Sequence, residues 1–110
     1  MKLNRKNLAA LAPEVEVPVY DPSTVRQGIA HIGVGGFHRA HQAIYTEALL
    51  NRGEAREWGI CGVGLRREDR AMQQALAAQD HLYTMLVLGD EPGLEAVSYT
   101  HLTLPTILLV

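Results

Sequence analysis

Apolar and polar residues recur along the chain with two different periods, and the changes of period mark the predicted elements. Three short runs, 28–33, 58–63 and 81–88, are rich in aliphatic residues and typical of strands, the second apolar enough for burial on both faces. Two longer stretches, 37–52 and 68–79, contain no Gly or Pro and favour helices. The order β-α-β-α-β predicts an α/β fold, the incomplete opening part of a doubly wound parallel sheet covered by helices.

Helical spacing also predicts which helix residues are buried. In the stretch 37–52, Ala40, Ile44 and Ala48 form an apolar row at i, i+4 spacing, and Gly53 is placed to end the helix. The second helix carries acidic residues in its first turn, where the positive end of the helix dipole favours them. The stripe of this helix that faces the core is predicted to comprise Met72, Ala75, Leu76 and Gln79.

Residues 1–27 are predicted to form an N-terminal arm in front of the first strand. A helical turn is expected at 7–12, and the alternating, proline-containing stretch 15–19 favours an extended edge segment. Asp21 followed by Pro22 predicts a short helix, because Asp is a preferred cap and Pro suits the first helical position.

Composition narrows the class of protein. The chain has 110 residues, of which 47% are hydrophobic and 20% charged, with a formal net charge of −2. This suffices for one small core and excludes a disordered chain, while the absence of a basic footprint argues against a nucleic-acid partner. A membrane span is not expected, because no long uncharged apolar stretch occurs before the C-terminus. A secretory signal is not expected either, because no apolar segment follows the basic residues at 2–6. With a single cysteine, Cys61, expected as a small buried residue, the sequence predicts a reducing, cytoplasmic location.

The C-terminal end departs from this composition. A turn at 89–93 predicts the start of a hairpin after the third strand. All ten basic and twelve acidic residues precede position 97, so residues 97–110 carry no Lys, Arg, Asp or Glu. The run 97–106 resembles a translated transposon-end sequencing adapter. We therefore expect 97–110 to be a non-native tail and exclude it from functional reasoning.

The strongest candidate site is the glycine-rich turn between the first strand and the first long helix. In a dinucleotide fingerprint, Gly33 permits the tight turn, Gly35 lets the backbone approach a pyrophosphate, and the helix N-terminus offers N–H groups and a positive dipole end. The third glycine of the fingerprint falls on His38, so Ala40 or Gly36 is expected to provide the close packing. A glycine-rich turn without a ligand is the alternative. The candidate cofactor-binding residues here are Ile32, Gly33, Val34, Gly35, Gly36, Phe37, His38, Arg39 and Ala40.

A dinucleotide site also needs an acidic residue after the second strand, to accept hydrogen bonds from the adenosine ribose. Glu68 and Asp69 occupy this place and favour NAD, because an acid repels the 2′-phosphate of NADP. Arg66 and Arg67 argue in the other direction, since arginine there can bind that phosphate. Asp69 is open to a second interpretation as a plain helix cap, and the two roles are compatible.

The sequence gives little support for a metal site or for the catalytic motifs of other enzyme classes. His38 and His41 lie three residues apart, with His31 on the preceding strand, but no further ligands complete a metal site and none is expected. Lys2 and Lys6 are the only lysines, so no Tyr-x-x-x-Lys pair can form. The sequence also lacks a P-loop and the nucleophile elbow of a Ser–His–Asp hydrolase. The chain is predicted to hold a dinucleotide but not to act on a substrate alone.

Residues 28–43 resemble the N-terminal signature of the long-chain mannitol dehydrogenase family, a family of metal-independent polyol dehydrogenases and sugar-acid reductases. Residues 58–65 and 79–84 resemble the next two blocks of the family, and the whole similarity extends over about 3–95 of the chain. Within the family, the Cys-Gly-Val-Gly run at 61–64 is more similar to the fructose-forming mannitol dehydrogenases than to the fructuronate or tagaturonate reductases.

The resemblance implies that 28–96 is part of a Rossmann-type NAD-binding domain, with residues 33–40 on the pyrophosphate and Asp69 on the ribose. It further implies hydride transfer between NAD and a secondary alcohol, D-mannitol to D-fructose, with a small polyol or ketose as substrate. The family's catalytic residues lie in a C-terminal substrate domain without a counterpart here, so no catalytic residue is assigned and the fragment is expected to be inactive. A sugar-acid reductase and a non-catalytic NAD(H)-binding module are the alternatives.

Overall fold

The computed structural model describes residues 2–12, 15–87, 98–103 and 106–109. Short 3₁₀ turns supplement the regular elements at Arg5–Asn7, Pro22–Thr24 and Arg56–Trp58. The helices are α1 (Leu8–Leu11), α2 (Gly36–Ala40), α3 (Gln42–Asn51) and α4 (Asp69–Ala77). The strands are β1 (Gln27–Ile32), β2 (Gly59–Gly64), β3 (Leu82–Val87), β4 (Ser98–Thr103) and β5 (Thr106–Leu109).

The predicted parallel sheet is confirmed, with β2 at its centre. The strand order is β1-β2-β5, and both pairings are parallel. The register of β1 and β2 runs from Ile29 opposite Ile60 to Ile32 opposite Val63. Five of the six residues of β2, including Cys61, are buried, as the apolar run predicts for a strand covered on both faces.

The third predicted strand exists as β3, but the expectation that it continues the parallel sheet is wrong. It pairs antiparallel with β4, from Leu82 opposite Thr103 to Val87 opposite Ser98, in a separate two-stranded sheet. Only ten positions separate Val87 from Ser98, fewer than the dozen or more that a parallel crossover needs, so the antiparallel pairing of a hairpin is favoured. Its turn at 89–93 lies outside the described residues. The non-native origin of 97–110 stays a prediction, and β4 and β5 both fall within this range.

The first long helix is interrupted, which corrects both its bounds and its buried face. His41, with φ −132° and ψ −87°, separates α2 from α3. The interruption resets the helical phase, so the buried residues of α3 are Ala43, Glu47 and Leu50. Of the predicted row, Ile44 is half-buried, whereas Ala40 and Ala48 are exposed. Gly53 ends the helix as predicted, with a left-handed φ of 77°.

The core lies between α2–α3, α4 and the two sheets. Ile60 and Leu82 are its largest fully buried side chains. The stripe predicted for α4 is confirmed in part, since Leu76 is buried and Met72 half-buried while Ala75 is exposed. A cluster within this core comprises Val34, Ala43, Leu76 and Tyr83, with Ile44, Met72 and Met85 packed against it.

The N-terminal arm packs on α3 through two polar contacts. The Tyr20 hydroxyl donates a hydrogen bond to the buried carboxylate of Glu47, and the Val19 N–H donates to Asn51 Oδ1 at 3.0 Å. The predicted cap is confirmed, because Asp21 accepts a hydrogen bond from the Ser23 N–H at 3.0 Å. The hydrogen bonds from Ser23 lower the pKa of the Asp21 carboxyl. These contacts fix the chain that leads into β1.

Two glycines allow β1 and β2 to begin their pairing. A Cβ on Gly28 would lie 2.1 Å from the carbonyl oxygen of Glu57, and one on Gly59 would lie 2.6 Å from that of Arg26. The Gly59 N–H donates to the same Arg26 oxygen at 2.7 Å, so this backbone cannot retreat without losing a hydrogen bond of the sheet. The register shifts by one residue at Gly28, from Gln27 opposite Gly59 to Ile29 opposite Ile60, and is regular from there to Ile32 opposite Val63.

We expect Gly59→Ala to lower the free energy of unfolding by about 1–3 kcal/mol, the cost typical of forced overpacking. Gly36→Ala is the matched control, because a Cβ there meets no atom within 4 Å. Urea unfolding followed by circular dichroism measures both variants. Equal stability of the two variants would contradict the close approach of β1 and β2.

Candidate dinucleotide site

The glycine turn begins at the carboxyl ends of two parallel strands. The Gly33 N–H donates to the carbonyl of Val63 at 2.8 Å, which extends the pairing of Ile32 with Val63 by one step. Gly33 has a φ of +94°, a backbone conformation that residues with a Cβ rarely adopt. The turn therefore leaves β1 at the sheet edge where ligands bind in open α/β sheets.

The next two glycines are not required by the protein's own packing. Gly35 has an extended backbone, with φ −76° and ψ −179°, that any residue can adopt. A Cβ built on Gly35 or Gly36 would find no atom within 4 Å. Both positions thus present bare backbone to open space, which is what the close approach of a pyrophosphate to the main chain requires.

The helix that follows this turn is short. In α2 the first intrahelical bond runs from the Arg39 N–H to the Gly35 carbonyl at 3.1 Å, so the preceding N–H groups have no acceptor within the helix. Only five residues precede the break at His41, and the long dipole expected from a continuous helix does not form. Anion binding at this turn would therefore depend on individual N–H groups.

His38 occupies the position of the third fingerprint glycine and packs on β1 in a different way. It is only 5% exposed, and its ring stacks on that of His31 with 3.8 Å between centroids and 18° between planes. The expectation that Ala40 or Gly36 provides the close packing is wrong, because both residues are exposed. In the usual fingerprint the third glycine lets the backbones of helix and strand approach closely. Here the stacked imidazole rings of His31 and His38 lie between α2 and β1 instead.

The interior environment of His38 changes its titration. Burial lowers the pKa of the imidazole, and the neighbouring His31 and Arg39 act in the same direction, while the Gln42 amide opposes them. Neither ring nitrogen of His38 makes a hydrogen bond of good geometry. Burial thus favours the neutral form of His38, whose ring packs against that of His31 on β1.

Tyr83 supports α2 from the second sheet and was not identified from the sequence. Its hydroxyl donates to the carbonyl of Arg39 at 2.7 Å, and the Arg39 guanidinium lies 6.0 Å from the centre of its ring. Burial raises the pKa of the Tyr83 phenol far above its ordinary value. The only available signal was that a buried tyrosine hydroxyl needs an acceptor, and the sequence does not reveal which carbonyl provides it.

Asp69 organises the loop that follows β2. Its Oδ2 accepts hydrogen bonds from the backbone N–H of Leu65 at 3.0 Å and of Arg66 at 2.9 Å. The backbone hydrogen bond from Arg66, aided by the Arg66 charge, lowers the pKa of the Asp69 carboxyl. The interpretation of Asp69 as a helix cap is therefore modified: it closes the turn before α4, and its Oδ1 has only the Arg66 guanidinium at 3.5 Å.

Glu68 precedes α4 as an exposed residue whose side chain makes no capping hydrogen bond. Because β1 and β2 are parallel, the loop with Glu68 and Asp69 leaves the sheet at the same edge as the glycine turn. At the turn, Ile32 is 68% and Phe37 81% exposed, whereas Val34 is buried in the core. The two parts of the predicted site thus share one edge of the sheet.

One cavity lies outside this site. A surface cavity of about 230 Å³, lined by Thr24, Arg26, Arg56 and Glu57, lies at the amino ends of β1 and β2, the opposite edge of the sheet.

Within the described ranges, no three His, Cys, Asp or Glu residues come together as a metal site would require. None of the helices in the described part of the chain has the length and apolarity needed to span a bilayer.

Comparison with known proteins identifies relatives of the chain. A model of the mannitol dehydrogenase Rossmann domain matches residues 27–100. The mannitol 2-dehydrogenase of Neosartorya fischeri is 50% identical over 91 residues, covering 78% of this chain and 18% of that protein. The mannitol 2-dehydrogenase of Phaeosphaeria nodorum is 51% identical over 91 residues, covering 83% of this chain and 16% of that protein.

Solved structures give the same result. The Pseudomonas fluorescens mannitol 2-dehydrogenase, in a ternary complex with NAD and D-mannitol, has a TM-score of 0.90 and 55% identity, covering 99% of this chain and 22% of that chain. A D-sorbitol dehydrogenase in substrate-free form has a TM-score of 0.84 and 33% identity over the same shares of the two chains. The chain thus spans about a fifth of the length of these proteins.

The lowered pKa of His38 predicts that acid destabilises the fold. Between the folded pKa and the unfolded value of about 6.5, the unfolded chain binds the proton more readily, so the free energy of unfolding falls as pH decreases through this window. Urea unfolding at pH 7.5 and 5.5 measures the effect. His38→Gln is expected to reduce this pH dependence, whereas His41→Gln, at an exposed position, leaves it unchanged. An unchanged pH dependence in His38→Gln would exclude His38 as its source.

Proposed function

The chain belongs to the mannitol dehydrogenase family, and from this membership we propose that it is the NAD-binding, N-terminal part of a polyol dehydrogenase. One observation carries the assignment to a cofactor. Gly35 and Gly36 expose bare backbone to open space, although neither their conformation nor their neighbours require glycine. A bound pyrophosphate supplies the reason for both glycines, because phosphate oxygens must approach the N–H groups closely.

The residues of the glycine turn divide between holding the pyrophosphate and supporting the turn. The main chain of 33–40 holds the pyrophosphate, with Ile32 and Phe37 as exposed apolar groups beside it. Val34 and the side chain of His38 are buried and pack under the turn in the core. Tyr83 holds the C-terminal end of the segment through its hydrogen bond to the Arg39 carbonyl. Arg39 lies against Tyr83, so its part in binding is through the backbone of α2.

The ribose is assigned to the acidic loop. Asp69 keeps Oδ1 as an acceptor after Oδ2 has taken the N–H groups of Leu65 and Arg66. The backbone hydrogen bonds that lower the pKa of Asp69 favour the charged form of its carboxyl group. Together with the exposed carboxylate of Glu68, this charge disfavours a 2′-phosphate and favours NAD over NADP. Arg66 forms an ion pair with Asp69 at 3.5 Å, so a 2′-phosphate would compete with this carboxylate for the guanidinium.

The bound nicotinamide supplies a hydride acceptor for the oxidation of a secondary alcohol. D-Mannitol, with D-fructose as product, is the proposed substrate, since the similar Pseudomonas fluorescens structure contains NAD and D-mannitol. The chain positions the cofactor and contributes no assigned acid or base to the reaction. Turnover therefore depends on parts of the longer protein, and the chain by itself is expected to bind NAD without oxidising polyols.

A graded series at Gly35 tests the cofactor site. Gly35→Ala and Gly35→Val are expected to raise the Kd for NADH progressively, with at least a tenfold increase for Val, because each added carbon occupies space meant for phosphate. Fluorescence titration of the chain with NADH measures the Kd. Melting temperatures are expected to stay unchanged, because a Cβ at Gly35 meets no protein atom. Undiminished binding by Gly35→Val would refute the pyrophosphate assignment.

Asp69→Asn tests the choice of cofactor without opening the loop. Asparagine retains an oxygen for the N–H groups of Leu65 and Arg66 but removes the negative charge. We expect the affinity for NADPH relative to NADH to rise about tenfold, equivalent to ~1.4 kcal/mol. Glu54→Gln, which removes a distant exposed charge paired with Arg52, is expected to leave this ratio unchanged. Equal changes for both cofactors would remove Asp69 from ribose recognition.

A further inference from the structure

One carbonyl of the glycine turn is held by a side chain. Gly33 follows the last residue of β1 and has a left-handed φ of +94°. The Nδ1 atom of His31 lies 2.8 Å from the Gly33 carbonyl oxygen. A carbonyl can only accept a hydrogen bond, so Nδ1 carries the proton and donates. His31 is thereby fixed in the Nδ1–H tautomer.

The ring of His31 is itself held in place. The buried ring of His38 covers one of its faces, with 3.8 Å between centroids and only 18° between planes. His31 belongs to β1 and His38 to α2, so the pair connects the two elements that flank the turn. The side chain of His31 therefore touches the turn at both of its ends, through the hydrogen bond to Gly33 and through the stack on His38.

This hydrogen bond has a consequence for the next N–H group. A trans peptide is planar, and its C=O and N–H point in opposite directions. Holding the Gly33 oxygen against His31 therefore directs the Val34 N–H away from His31. Without the donor, the Gly33–Val34 peptide is free to rotate, because a glycine at this position has several accessible conformations.

We propose that His31 is the positioning residue of the cofactor turn: it orients the Gly33–Val34 peptide so that the N–H groups of the turn are set for a pyrophosphate before the ligand arrives. The proposal rests on the proposed function, in that the ligand is NAD. It assigns His31 no contact with the cofactor. His38 serves as the platform that keeps the imidazole in the plane needed for donation.

Two substitutions separate the hydrogen bond from the stacking. His31→Phe keeps a flat ring on His38 but has no donor. His31→Asn has no ring, yet its amide nitrogen lies close to where Nδ1 was and can donate to the Gly33 carbonyl. We expect the Kd for NADH to rise at least fivefold in His31→Phe and to stay within twofold of the unsubstituted chain in His31→Asn.

The outcomes distinguish the two proposals. If the unsubstituted chain binds no NADH in the fluorescence titration, the proposed function fails. If it binds NADH and His31→Phe binds equally well, or both variants lose affinity equally, the positioning role fails. Melting temperatures are recorded in parallel, since a purely structural role of His31 predicts that affinity follows stability and that Asn is no better than Phe.

A measurement on the unsubstituted chain makes the proposal independent of how the variants fold. Long-range ¹H–¹⁵N correlation of the imidazole rings shows which nitrogen of His31 carries the proton. The hydrogen bond to the Gly33 carbonyl requires the Nδ1–H tautomer of the neutral ring. An Nε2–H tautomer would overturn the proposal, because an unprotonated Nδ1 cannot donate to the Gly33 carbonyl.

Discussion

The hydrogen bond from the Gly33 N–H to the Val63 carbonyl, at 2.8 Å, is the constraint on which the site depends. It continues the parallel pairing of β1 with β2 by one residue and so places the start of the glycine turn beside the end of β2. The left-handed φ of Gly33 then directs the chain out of the sheet. Because the loop carrying Asp69 leaves β2 at this same edge, one backbone contact brings the two halves of the site together.

Three other features support the glycine turn: the start of the β1–β2 pairing, the stacked rings of His31 and His38, and the hydrogen bond from Tyr83. Gly28 and Gly59 allow the strands to approach closely where their pairing begins, and from Ile29 onwards the register with β2 is regular up to the turn. Beneath the turn, the His31–His38 stack fills the space that a third glycine would close. Tyr83, from the second sheet, anchors the last residues of α2 through the Arg39 carbonyl.

The sequence was sufficient for features determined by local chemistry. The strand–turn–helix context of residues 33–40, the cap at Asp21 and the doubly buried β2 each follow from short patterns, and the structure has all of them. The break at His41 could not be predicted, because no Gly or Pro marks it and the stretch 37–52 has helical spacing throughout. Nor could the burial of Glu47, whose carboxylate accepts a hydrogen bond from the hydroxyl of Tyr20, 27 positions earlier in the chain. The antiparallel pairing of β3 with β4 agrees with the hairpin predicted after the third strand, whereas the apolar pattern of β3 alone did not exclude it from the parallel sheet.

The most direct test of the account is to map NAD on the backbone amides of the chain by ¹H–¹⁵N correlation spectra. The account predicts that the largest shifts on addition of NAD fall on two segments, 33–39 and 65–69, which share only the carboxyl edge of the parallel sheet. Shifts centred instead on Arg26 and Arg56, at the cavity on the opposite edge, or the absence of shifts at the glycine turn would contradict it.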